Sequence, residues 1–225
     1  MTVEDTAAAP REPPAEQLRD LFWVEIRRLT LGLLRARGRR IELGPLTLLS
    51  FGPPRATPGG WCWEITGGLI ARSPGGELRY SWSDGELRAI VDDYRPLLPG
   101  PLYRLVQLPL HHLITRLYLL RLRGPEPAAG PPAEPGRVRA AAAVDLGLCL
   151  GVIALLRPQR PVRSALALAA AYRATCWTLA GRTLGQRALG LRVAALDGRP
   201  VGRGQALIRL IGGGRASATV VLRAD

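Results

Sequence analysis

Ala140-Ala-Ala-Ala-Val-Asp145-Leu-Gly-Leu-Cys-Leu-Gly-Val-Ile-Ala-Leu-Leu156 is an almost unbroken apolar run whose one charged residue is Asp145. At about 17 residues it stands at the lower limit for a helix that spans a bilayer. After the loop Arg157-Pro-Gln-Arg-Pro-Val-Arg163 comes a second, weaker run, Ser164–Gly181, whose one charged residue is Arg173. The first run holds Val144, Val152, Ile153 and several leucines, each contributing about −0.3 to −0.6 kcal/mol and roughly −3 in all, enough to offset an off-centre aspartate. The second is alanine-rich, and Arg173 near its middle costs about +2.5 kcal/mol or more, so it inserts poorly alone. Folded as a hairpin, Asp145 and Arg173 lie at depths that differ by only ~5 Å at about 1.5 Å rise per residue. An intramembrane ion pair between them is therefore expected. Its first role is to let the hairpin insert; a substrate or proton site is the functional alternative.

The flanks orient this hairpin. Arg121, Arg123, Arg137 and Arg139 precede it and Arg182, Arg187 and Arg192 follow, against Arg157, Arg160 and Arg163 in the loop. The excess places both ends in the cytoplasm. The same distribution explains a net charge of +13, from 31 basic and 18 acidic residues, and a pI of 11.2. All the basic residues are arginines, spread along the chain and flanking apolar runs, so no nucleic-acid partner is expected. A mean hydropathy of +0.07 suits a chain that is partly membrane-embedded. The acidic, proline-rich start has neither a basic n-region nor an apolar h-region, so no signal peptide is expected. Cys62, Cys149 and Cys176 have neither metal-ligand nor redox spacing.

Upstream the signals change. Residues 1–16 are polar, Ala/Pro-rich and aperiodic and read as a disordered tail. Residues 17–123 read as an α+β soluble domain. Within it, 17–37 has helical spacing, and 41–51 reads as a strand broken near Gly44-Pro45. Trp61–Thr66, Glu77–Trp82 and Glu86–Val91 read as an antiparallel meander, turning at Ser73-Pro-Gly-Gly and at Asp84-Gly85. Leu102, Leu105, Val106, Leu110, Leu113, Ile114, Leu117 and Leu120 form one stripe of a long amphipathic helix over 99–123, suited to packing across a sheet. Residues 124–136 are a proline-rich linker and the domain boundary. Residues 137–225 form the membrane domain. The fold class is thus an α+β unit of antiparallel strands and a long helix, followed by a transmembrane hairpin. The first part is loosely similar to helix-grip (START-like) domains by arrangement alone.

Arg137-Val-Arg139 ahead of Asp145 resembles the opening of RDD family domains, where arginine precedes an aspartate at the head of the first membrane helix. Gly181-Arg-Thr-Leu-Gly185-Gln-Arg-Ala-Leu-Gly190-Leu-Arg-Val, then Asp197-Gly198, then Gln205-Ala-Leu-Ile-Arg209, is similar to the family's segment after its second helix. The motif residues are therefore Arg137, Arg139, Asp145, Gly181, Gly185, Gly190, Asp197 and Arg209, within a resemblance covering about a third of the chain. It implies a protein of the bacterial inner (plasma) membrane, with transport attributed to some members. Such domains usually continue into another apolar helix. Here Gly212–Asp225 is too short and polar to span, so the resemblance implies a truncated domain whose residues 204–225 fray beyond the glycine run.

Chemistry is scarce. His111 and His112 point about 100° apart on a helix and make a poor metal pair. Gly212-Gly-Gly lacks the lysine and the Ser/Thr of a phosphate loop. No catalytic, cofactor or metal residues are assigned, and no enzyme is expected. The expected partners are the lipid bilayer and a second copy or another membrane subunit, in a transport or membrane-assembly role. The alternative is a membrane-tethered module that binds a ligand or lipid through the N-terminal α+β domain.

Overall fold

The computed structural model describes residues 1–30, 32–126 and 130–224, and the chain divides into two compact units, Met1–Pro125 and Glu126–Asp225. The expected linker falls across this boundary. Its residues 127–129 lie outside the described ones, as does Asp225 at the end of the expected fraying tail and Leu31 within the expected first helix.

The first unit is mixed α+β. Its sheet comprises β1 (Val3–Ala8), β2 (Leu34–Arg37), β3 (Arg40–Leu43), β4 (Leu46–Phe51), β5 (Arg55–Thr57), β6 (Gly60–Gly67), β7 (Glu77–Ser83) and β8 (Glu86–Asp92). The order is β1-β8-β7-β6-β4-β3-β2, antiparallel throughout, with β5 paired to β6. The β7–β8 hairpin turns at Asp84 (φ 53°) and Gly85 (φ 77°), the positive pair that a tight two-residue turn needs. Its register sets Leu78 opposite Val91 and Tyr80 opposite Ala89, and all four side chains are buried on one face.

Two helices cover that face. The first, α1 (Ala15–Leu29), stops short of the expected 17–37. The Thr30 hydroxyl donates to the Ile26 carbonyl and accepts from Leu34 N, ending the helix and turning the chain into β2. The long helix over 99–123 is composite: α2 (Gly100–Leu102), a π-helical turn (Tyr103–Gln107) and α3 (Leu108–Leu122). Pro109 would drive its ring into the carbonyl of residue 105 in a regular helix, and the wider turn beneath it avoids that clash.

The single apolar stripe expected here does not form. Leu117, Leu119 and Leu120 are buried with Tyr118, whereas Leu102, Leu105, Val106 and Leu110 are exposed, because the sheet covers only the C-terminal half of the helix. Between helices and sheet lies an aromatic core. Phe22 contacts Tyr80 and Tyr118, Trp63 contacts Tyr80 and Trp23, and Tyr80 stacks obliquely on Tyr118 at 4.7 Å. Burial pushes the Tyr80 and Tyr118 phenols up, so both stay neutral.

Residues 3–8 are an edge strand rather than a disordered tail. β1 pairs with β8 along its whole length, from Val3 opposite Val91 to Ala8 opposite Glu86. Side chains of α3 hold its other side: His112 Nδ1 lies 2.8 Å from the Asp5 carboxylate, Arg116 donates to the Thr6 carbonyl and Arg123 to the Ala8 carbonyl. The Trp82 indole N–H donates to the Ala9 carbonyl.

The second unit begins at α4 (Pro135–Leu156), which turns at Arg157 into α5 (Pro161–Ala180) and packs against it. A short helix α6 (Leu184–Ala188), strand β9 (Leu191–Ala195), helix α7 (Arg203–Ser217) and strand β10 (Thr219–Arg223) follow. The expected fraying end is ordered. β10 pairs with β9, setting Leu222 opposite Arg192, and Leu222 is fully buried. The glycine run kinks α7 at Gly213 (φ 74°) without ending it, and α7 stops at Ala218 in a left-handed cap. Residues 131–133 of the expected linker join the far side of β10 through Ala133 N–H to the Val221 carbonyl and Arg223 N–H to the Pro131 carbonyl. Among the described residues, one helix, α4, is long and apolar enough to cross a membrane.

Two outcomes test this fold. Leu222→Ala is expected to cost about 2–5 kcal/mol and to open residues 212–225 to protease. The second concerns acid. Burial lowers the His111 pKa below the ordinary 6.5, with Asp5 opposing. A base depressed in the folded state stabilises fully above 6.5 and progressively less as pH falls below it. Melting temperatures between pH 7 and 5 should therefore fall less steeply in His111→Gln than in the wild type.

Candidate functional site

Asp145 is buried, at 3% exposure, on the otherwise apolar α4. A carboxylate there must be given donors, since an unpaired one costs several kcal/mol. Three are supplied. The Tyr172 hydroxyl of α5 donates to Oδ1 at 2.9 Å, the Thr183 hydroxyl to Oδ2 at 2.6 Å and the Gly185 backbone N–H to Oδ1 at 2.8 Å.

The same contacts cap α6. A helix start leaves its first N–H groups without intrahelical partners. Here Gly185 N–H goes to Asp145 directly, Leu184 N–H to the Tyr172 hydroxyl at 2.8 Å, and Gln186 N–H to the Thr183 hydroxyl at 3.2 Å. Both hydroxyls pass the interaction on to the carboxylate. The Gln186 side-chain oxygen Oε1 closes a capping box by accepting from Thr183 N–H, and it also accepts from the Trp177 indole. Asp145 is thus the anionic end of a helix cap supplied by another helix, the charge sign that the helix start favours.

Close approach makes this possible. A Cβ on Gly185 would stand 2.2 Å from the Ala141 carbonyl oxygen and 2.9 Å from Asp145 Oδ1, so α6 rests on α4 through a residue without a side chain. Gly181 (φ 67°) ends α5, and its carbonyl accepts from Val193 N–H; Gly190 (φ 63°) opens β9, and its carbonyl accepts from Ala224 N–H. The Arg209 guanidinium of α7 lies over the Trp177 ring at 5.2 Å and donates to the Thr219 carbonyl, and burial lowers its pKa to about 10. Trp177, Val193, Val201 and Ala206 form the small core beneath.

The structure brings Asp145 and Gly185 together, uses Gly181 and Gly190 as turns, and places Arg209 beside Trp177. Asp197 is buried in the turn after β9, where it pairs with Arg199. Arg137 and Arg139 stand exposed on the first turns of α4. The expected Asp145–Arg173 pair is not made: Arg173 forms no ion pair among the described residues, and Tyr172 beside it reaches the carboxylate instead. Two neutral hydroxyls and a backbone N–H satisfy Asp145 without burying a second charge. Tyr172, Thr183, Gln186 and Trp177 were not anticipated. Thr183-x-x-Gln186 carries a readable capping-box signature; Tyr172 carries none. His111 and His112 both face Asp5, and no group of three or more potential metal ligands occurs among the described residues.

Asp145→Asn turns an amide N–H toward donors and is expected to cost about 1–3 kcal/mol. Gly185→Ala should cost at least as much, and Arg173→Ala clearly less than either. Thermal unfolding in detergent measures all three. An Asp145→Asn midpoint equal to the wild type, or a larger loss for Arg173→Ala, contradicts the cap.

Residues 161–221 match the model described as RDD family. The match runs from α5 into β10, so Asp145 and the arginines ahead of it lie before its first residue. Searches of curated proteins and of solved structures return no match. The second unit of this chain thus contains a segment similar to the RDD family domain.

Proposed function

We propose that the chain is a bacterial inner-membrane protein in which α4 and α5 cross the bilayer as a hairpin with both ends cytoplasmic, and that it serves as a non-enzymatic component of a transport or membrane-assembly system. One observation carries the membrane reading. The best apolar window of α4 has a mean hydropathy of 1.9, yet 17% of it is buried, and Leu146, Leu148, Leu150, Leu155 and Leu156 all face outward. A core helix of a water-soluble protein covers such a surface; a bilayer accepts it.

α5 is shorter on apolar residues and carries Arg173, so it would cross as the partner of α4. The Asp145 cap then ties the middle of α4 and the C-terminal half of α5 to α6 on the cytoplasmic side of the hairpin. Partners of the hairpin would be a second copy or another membrane subunit. The N-terminal unit as a closed ligand-binding module is less favoured, because Phe22, Trp63, Tyr80 and Tyr118 fill the space between sheet and helices.

Fractionation tests the reading. The full chain should remain with membranes through alkaline carbonate extraction, and a chain lacking residues 137–225 should not. Release of the full chain by carbonate overturns the spanning assignment.

A further inference from the structure

We infer that the outer face of the helix start in the first unit, built from Leu102, Leu105, Val106 and Leu110, is a docking surface for an anionic lipid surface. The inference rests on the reading that α4 places the chain in a bilayer.

The face is geometrically distinct. Tyr103 is buried and Gln107 half-buried with its amide N–H donating to the Tyr94 hydroxyl, so these two point inward. Leu102, Leu105, Val106 and Leu110 are turned to the outside instead, at exposures of 49%, 74%, 57% and 52%. The π-helical turn widens the spacing so that 102, 106 and 110 fall on successive turns of one line. Among the described residues of the first unit, these four side chains stay open to the outside.

Charge selects the occupant. From Tyr94 to Pro125 the sequence has no aspartate or glutamate but contains Arg95, Arg104, Arg116, Arg121 and Arg123. Arg116 and Arg123 are engaged with β1, whereas Arg95 and Arg104 are exposed, Arg104 next to Leu105 in the helix. The carboxylates bounding this segment are Asp92 and Asp93 at the end of the meander and Glu126, Asp92 accepting from the Thr2 hydroxyl, while the Asp5 carboxylate of β1 is taken up by His112. An apolar line flanked by arginines is the composition of a helix lying in the headgroup region, apolar side chains down and guanidinium groups at the phosphates. A second copy of the chain would bring the same positive charge against itself.

The test uses the full chain in lipid nanodiscs. Its three cysteines are replaced by alanine, and a single cysteine carrying a bimane label is placed by Leu105→Cys or, as a control on β2 at the opposite edge of the sheet, by Arg37→Cys. Lipids carrying a spin-label quencher near the headgroup should quench the label at 105 at least threefold more than at 37, and Arg104→Glu should reduce this contrast. The contrast should be larger in phosphatidylglycerol than in phosphatidylcholine. Equal quenching at the two sites in chains that resist carbonate extraction overturns the docking surface and leaves the membrane reading standing. Chains that fail to insert at all overturn the membrane reading first. A blue-shifted label at 105 that is insensitive to lipid quencher but strengthens with protein density assigns the face to a second copy, and also overturns the proposal.

Discussion

The carboxylate of Asp145 sets the terms for the second unit. Removing it from water costs several kcal/mol, and hydrogen bonds to a charged group return about 1.5–3 kcal/mol each. Three such bonds bring the balance near zero, and fewer leave it clearly unfavourable. The chain therefore has to bring Tyr172, Thr183 and Gly185 to one point from two helices and a turn. Doing so fixes the end of α5, the start of α6 and the separation of α4 from both. Gly185 follows from the same requirement, since any side chain there meets the Ala141 carbonyl.

From that point order propagates outward by ordinary means. α6 leads into β9, β9 recruits β10, and segment 131–133 returns along β10 just ahead of α4. Trp177 joins the two halves of this arrangement: its indole N–H donates to Gln186 in the cap, and its ring faces Arg209 on α7. A cation held against an aromatic face, with carbonyl and hydroxyl acceptors from Thr219, is kept charged without a carboxylate partner.

The first unit solves a different problem with similar economy. Its edge strand β1 has few large apolar side chains to bind it, and it is secured instead by backbone pairing and by α3 side chains reaching backbone carbonyls. The helix pays a local cost at Pro109 and widens into a π turn, and the segment so displaced presents its leucines outward. Aromatic packing beneath α3 and an uncovered apolar line ahead of it are two consequences of the sheet reaching only half of one helix.

Local chemistry was legible in the residues. The apolar run ending at Leu156, the β6–β7–β8 meander with its Asp84-Gly85 turn and the lone aspartate all follow from periodicity, turn preference and hydropathy, which act over a few residues. The glycines at 181, 185 and 190 were visible as a family-like pattern. What tertiary structure alone decided was who satisfies whom. Asp145 and Arg173 matched in depth, yet depth does not fix rotation about a helix axis, and Tyr172 rather than Arg173 faces the carboxylate. Residues 3–8 and 219–223 lacked a strong strand pattern, because an edge strand is held by backbone groups that every residue carries and that no composition reveals. The half-covered helix over 100–122 shows the same limit. Spacing determines which side chains share a face, and only the extent of the neighbouring sheet determines which of them are buried.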